Sequence, residues 1–357
     1  MKPGWHAPAK GSRTGVADYA ETLGAALGRI DADVHVYHIG NNKLHHDIYL
    51  QALRTPGIVV LHDAVLQHFM LGTCSREEYL AEWIHNYGVW RTHLGEELWD
   101  ERAKSAVDPR YFQFPMLRRI VEASRAVIVH NPGAAGMARA HGAQRVFTIP
   151  HFYQPQTQPG ASDGIAFRQR FGIDPAATLF GIFGYLRETK RVPACIAAFR
   201  KLNAVEPRTA LLLAGDAVSR DLARLLETEA VHPHIYRAPH LSERDLGAAI
   251  GVVDCCLNLR YPAAGETSGI AIRLMGAGKP VIGSDNEENS AIPETAMLRV
   301  KPGIAEQAEL FDHMSLVALY PGIAREVAKQ AQVHIGKCHD IEIVVRQYRE
   351  VICAATS

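Results

Sequence analysis

Apolar runs of four to six residues, each followed by a stretch of helical spacing, recur through this chain and constrain its fold more than any other feature. Gly57-Ile58-Val59-Val60-Leu61, Ala126-Val127-Ile128-Val129, Leu179-Phe180-Gly181-Ile182-Phe183 and Ala210-Leu211-Leu212-Leu213-Ala214 are such runs. Unbroken apolar runs mark strands buried on both faces, the condition of a parallel sheet covered by helices. Val252 through Leu259 and Pro280-Val281-Ile282-Gly283 read the same way, while Val34 through Ile39 alternates like a half-buried strand. Between them, Tyr19, Leu23, Leu27 and Ile30 share one helical face, as do Val192, Ile196, Phe199 and Leu202, and then Leu222, Leu225 and Leu226. Ser242 and Asp245 predict a capping box for a helix through Ile250. The alternation predicts doubly wound α/β architecture rather than a sandwich or a bundle. The first strand is weakly written, because Pro3 and Gly4 fall inside it.

The pattern runs through once, stops, and starts again. The chain has 357 residues, enough for two cores. A polar stretch with Pro and Gly, Tyr153 through Gly160, is the best linker candidate. We therefore expect two Rossmann-like domains, 1–157 and 158–339, facing a central cleft, with ligand at the carboxyl ends of the strands. A final helical segment, 340–357, carries Ile343, Val344, Tyr348 and Val351 at helical spacing.

Composition removes several classes of function. Lys plus Arg and Asp plus Glu both number 38, so the basic footprint of a nucleic-acid binder is missing. No apolar run approaches the roughly 18 residues of a membrane span, and the N-terminal segment has no signal-peptide core, so a cytoplasmic protein is expected. Six cysteines are scattered without CxxC spacing, and Cys255 and Cys256 should point to opposite faces of one strand as packing residues. Eighteen histidines invite a metal hypothesis, but their spacing lacks a helical i, i+4 pair beside a carboxylate. Neither a metal nor another cofactor is expected.

The informative polar residues fall at strand ends. Arg260-Tyr261-Pro262-Ala263-Ala264-Gly265-Glu266-Thr267-Ser268-Gly269 follows a buried strand and opens a helix. Its small residues would let the backbone approach a ligand, and free N–H groups of a first helical turn attract an anion such as a diphosphate. An N-capped helix with a tight entry turn would look the same in sequence. Phe183-Gly184-Tyr185-Leu186-Arg187-Glu188-Thr189-Lys190-Arg191 places three cations after another strand of the same sheet. Solvated charge is the usual reading of such a cluster; its position beside the glycine loop favours phosphate binding. The first half supplies Ser12 through Asp18, Leu61-His62-Asp63 and Val129-His130-Asn131, again at strand ends.

Taken together, SRTGVADYA, LHD, VIVHN, FGYLRETKR and RYPAAGETSGIAIRLMGAGKPVIGSD resemble glycosyltransferase family 4 over nearly the whole chain. The resemblance implies the GT-B fold and retaining transfer of a sugar from a UDP- or GDP-sugar to a glycan or glycolipid, with at most peripheral membrane contact. It implies that Gly265, Glu266, Thr267, Ser268 and Gly269 hold the donor diphosphate, with Gly15 and Gly184 in the loops around it. It implies that His62 contacts the transferred sugar, that Lys190 is one of the family's basic pair, and that residues 340–357 cross back onto the first domain. Asp18, Asp63 and His130 are the acceptor-side candidates.

Two positions depart from the family. Tyr185 stands where the pair's arginine is usual, which makes Arg187 the substitute candidate. Arg273 stands where a glutamate usually accepts from the ribose hydroxyls; an arginine cannot accept, so it should reach a phosphate or pair with Glu266. Catalysis would then rest on stabilising the departing diphosphate by Lys190, Arg187, Glu266 and loop amides, without a metal. A GT-B epimerase of sugar nucleotides and a non-catalytic sugar-nucleotide binder are the alternatives.

Overall fold

The computed structural model describes residues 4–12, 14–30, 33–155, 161–239 and 241–356; most of the expected linker, 156–160, lies outside them. Among the described residues, the first sheet is built from β1 (Gly4–His6), β2 (His35–Ile39), β3 (Ile58–Leu61), β4 (Ala126–Val129) and β5 (Val146–Thr148). The second holds β6 (Thr178–Phe183), β7 (Thr209–Ala214), β8 (Ile235–Ala238), β9 (Cys255–Asn258), β10 (Val281–Ser284) and β11 (Leu298–Val300). All pairings within these sheets are parallel.

The unbroken apolar runs are strands buried on both faces, as their sequence requires. In β3, Val59 and Leu61 meet one layer of helices while Ile58 and Val60 meet the other. Cys255 and Cys256 likewise divide between the two cores of the second domain. The stripe Val192, Ile196, Phe199 and Leu202 is fully buried in the helix Val192–Val205. Leu225 is the exception in its helix, standing exposed while Leu222 and Leu226 pack. Ser242 caps the helix Glu243–Val252 by accepting from Asp245 N at 3.1 Å.

The two sheets are wired differently. In the second, the order β11-β10-β9-β6-β7-β8 reverses between β6 and β9, which opens a crevice at their carboxyl ends. The first runs sequentially, β1-β2-β3-β4-β5. Helices His46–Arg54 and Pro132–Ala140 cover one of its faces, and Gly15–Leu27 covers the other. Every connection steps the same way across that sheet, so the link from β1 to β2 must have the opposite hand to the later ones.

The helix Ile341–Thr356 returns to the first domain and packs Val344, Tyr348 and Ile352 beside Tyr19 and Leu23. The Tyr19 and Tyr348 hydroxyls meet at 3.1 Å. Between β3 and β4 lies a helical insertion, including Gln67–Thr73, Arg76–Tyr87, Thr92–Asp100 and Arg118–Ala123, that sequence spacing did not predict.

Candidate functional site

The reversal between β6 and β9 brings together the two segments singled out in sequence. After β6 the chain turns through Gly184, at φ +76°, to Lys190. After β9 it runs through Arg260 to Ser268, which caps the helix Gly269–Gly276 by accepting from Ala271 N and donates to Asn258 Oδ1 at 3.0 Å. Tyr261 N donates to Thr189 O at 2.8 Å and ties the two loops to each other. Arg260 N donates to Ser284 Oγ at 2.8 Å, fixing the second loop to β10 as well.

Five charged side chains meet here. Lys190 is buried, and its Nζ donates to the carbonyl of Phe183. Arg260 Nε lies 3.4 Å from Glu266 Oε1, while Glu266 Oε2 accepts from Ala264 N at 2.7 Å. Asp63, at the end of β3, accepts from Asn41 N at 2.9 Å and feels the charges of Arg187 and Arg260 across the cleft. Burial, and then the Arg260 charge, holds the Lys190 ammonium well below its usual range. Burial raises the carboxyls of Glu266 and Asp63, with Arg260 opposing in both. Lys190 and Arg260 face Glu266 and Asp63 in a desolvated crevice, and the exposed Arg187 adds a further positive charge beside it.

The first domain grips the glycine loop. Ala64 N and Val65 N both donate to Ala264 O, at 2.8 and 3.0 Å. Asn131 Nδ2 donates to Gly265 O at 2.9 Å and to Thr267 Oγ1 at 3.0 Å. Gly265 sits at φ +75°, and a Cβ there would come 2.5 Å from Ala64 Cβ. Close approach of the first domain, together with the positive φ, therefore requires glycine here.

The remaining candidates divide. Arg187 and Gly15 are exposed, and Thr14 caps the helix that Gly15 begins. Arg273 pairs with Glu243 at 2.9 Å and not with Glu266, one of its two expected partners, because Glu266 is turned toward Arg260. Asp18, in the first turn of Gly15–Leu27, faces this pair across the cleft; burial and Glu243 raise its carboxyl, and Arg273 opposes. His62 is drawn into a cluster of rings. Its Nε2 meets His38 Nδ1 at 2.9 Å, and its ring packs edge-on to Tyr19 and near His130. His130 is buried, with Nδ1 donating to Ile149 O and Nε2 unpartnered. Its burial leaves it 6% exposed, in contact with the ring of His62.

Three participants had no functional assignment in the sequence. Arg260 was visible only as part of its loop. Asn131 stands before Pro132 as a recognisable helix cap, yet nothing local signalled its second role across the cleft. His151 Nε2 would lie 3.1 Å from a Cβ on Gly269, close to the helix start. Because His151 Nδ1 donates to Phe152 O, Nε2 is left as an acceptor. Among the described residues, no group of three or more His, Cys, Asp or Glu is disposed to hold a metal ion.

The double role of Asn131 can be separated. Asn131→Asp keeps an oxygen for Ala134 N but cannot donate to Gly265 O. The expected result is a melting temperature within a few degrees of wild type together with a larger radius of gyration in small-angle X-ray scattering. An unchanged radius would show that the bonds to Ala264 suffice to hold the domains together.

This architecture, two parallel-sheet α/β domains facing one another across a cleft, is the GT-B fold of glycosyltransferases. The chain is similar to HepE from Anabaena, solved with UDP and glucose, at a TM-score of 0.64 and 15% identity over 94% of this chain and 81% of that one. It is similar to sucrose-phosphate synthase from Thermosynechococcus elongatus at 0.60 and 15%, over 89% and 74%. WaaG, a glycosyltransferase involved in lipopolysaccharide biosynthesis, matches at 0.59 and 16%, over 97% and 85%. No family model and no curated protein matches the sequence. Likeness at such identities establishes the fold alone.

Proposed function

We propose that the chain is a glycosyltransferase of family 4 that moves a sugar, with retention and without a metal, from a nucleoside-diphosphate sugar to a saccharide or glycoconjugate. The observation that carries this reading is the convergence of Lys190, Arg260, Glu266 and the start of the helix Gly269–Gly276 on the reversal point of the second sheet. A desolvated cationic pocket stabilises a leaving diphosphate more than the neutral sugar it leaves behind. The departing phosphate would itself take the acceptor's proton, so no protein base is assigned. In this reading Asp63 and His62, which follow β3, orient the sugar, with Asp18 on the acceptor side. The grip of Ala64, Val65 and Asn131 on the glycine loop would keep water from the reacting centre.

UDP is the first nucleotide to try, because HepE was solved with UDP and with UDP-glucose. A thermal-shift panel of UDP, GDP and ADP should single out one of them. At 100 times its dissociation constant, that ligand adds about 2.7 kcal/mol. No shift with any of the three would reject a nucleotide-sugar donor. An epimerase would instead consume the sugar nucleotide with no acceptor present, and a binding protein would consume none at all.

A further inference from the structure

The loop after β6 brings one buried cation, Lys190, and leaves a gap beside it, since Tyr185 is uncharged and Arg187 points out from an exposed position. The geometry points to Arg260, at the end of β9, as the guanidinium that fills this gap from the opposite side of the reversal point and holds the diphosphate together with Lys190. This rests on the nucleotide-sugar reading and names a residue that the reading by itself does not require.

Four observations support it. Arg260 leaves a strand adjacent to the one preceding Lys190, and the two loops are bonded through Tyr261 N and Thr189 O. Its backbone is held by Ser284 Oγ, so the side chain starts from a fixed point. Its one ion pair among the described residues, Nε to Glu266 Oε1 at 3.4 Å, is longer than the 2.7–2.9 Å of a well-made charge-assisted bond. Nε itself is buried and makes no hydrogen bond among the described residues, and the side chain is only 16% exposed. A guanidinium that has given up most of its water and received few hydrogen bonds in return is poised for an anion. A planar fork with parallel donors suits a phosphate, which takes two of them at once. Lys190 adds a point charge from the other loop. Arg187, by contrast, remains hydrated in the free protein and has less to gain.

The test is isothermal titration of wild type, Arg260→Met and Arg260→Lys with UDP, GDP and ADP, each compared with its own monophosphate. For whichever diphosphate wild type binds, Arg260→Met should weaken affinity about 10- to 100-fold, the loss of a charged hydrogen-bond donor. The same variant should change monophosphate affinity less than about threefold, and Arg260→Lys should recover part of the diphosphate loss. A merely structural arginine would weaken both ligands alike, and that result would overturn the assignment. So would wild-type diphosphate affinity in Arg260→Met, or a loss that follows Arg187→Met instead. Should Arg260→Met fail to fold, the ratio of diphosphate to monophosphate affinity in Arg260→Lys decides, since a ratio equal to wild type's overturns the assignment. Failure of wild type to bind any of the three diphosphates would overturn the functional reading and this one with it, an outcome distinct from failure of Arg260 alone.

Discussion

Acidification from pH 7 to pH 5.5 should cost the fold several kcal/mol, well before its carboxylates are neutralised. The cause is a group of buried rings, most of them in the first domain, with His339 joining them from the end of the helix Pro321–Cys338. Burial is the leading cause that holds His38 down to about 3 and His130, His151 and His339 each to about 4, and it drives His62 well below its ordinary value. In the unfolded chain these rings take up protons near pH 6.5. Folded, His130, His151 and His339 each commit Nδ1 to a carbonyl, and His38 shares a proton with His62. The buried Nε2 atoms of His38 and His130 have no acceptor to receive a second proton. Their stabilising contribution is therefore whole above pH 6.5 and is lost as the pH falls toward the folded values. Each ring accounts for about 1.4 kcal/mol per pH unit in that window. Asp63 and Glu266, raised by burial, act in the opposite sense, but Arg260 limits both. Urea titrations at half-unit intervals between pH 7.5 and 5 should show the decline. In His130→Gln the slope should lessen by about one ring's share, and a flat profile in wild type would refute the account.

Lys190→Met should lower turnover about 10²- to 10³-fold while leaving the melting temperature unchanged or higher. Few single changes separate function from stability so sharply, and the reason is burial. A lysine 6% exposed, bonded to one carbonyl and facing Arg260, spends folding energy on its own desolvation. Methionine fills much of the same volume without that cost. The loss should fall on kcat rather than on acceptor KM, because the charge on the leaving diphosphate grows as the transition state is approached. Steady-state kinetics with the donor found by thermal shift, beside a melting curve, would measure both. Near-wild-type turnover would make Lys190 a packing residue, and a collapse in melting temperature would make it structural.

The fold was largely legible because buried parallel strands and helical stripes write their burial into residue type. Leu179 through Phe183, and Ala210 through Ala214, could hardly lie anywhere but inside a covered sheet. Short or edge strands were harder to read. β5, β8 and β11 have three or four residues each and carry weaker patterns. The helices between β3 and β4 pack against each other as well as the sheet, so their apolar residues are spread around the helix.

The candidate site shows the same division. Lys190, Glu266 and Ser268 could be singled out in sequence because their setting is local: a strand end, a turn, a helix cap. Arg260 and Asn131 were missed because their roles depend on partners far along the chain. Asn131 meets Gly265 across 134 residues, a relation that no spacing rule encodes. For Arg273 the sequence offers a phosphate or Glu266, whereas folding delivers Glu243 from a neighbouring helix.

Residue order alone thus determined two parallel-sheet units and the strand ends at which chemistry belongs, since local burial and local hydrogen bonding leave their periods in the chain. Strand order was a tertiary decision. So were the opposite hand of the first connection, the burial of His130 among other rings, and the grip of Ala64 on Gly265. Each of these depends on which distant surfaces meet, and the energy of such a meeting belongs to pairs of segments rather than to either one.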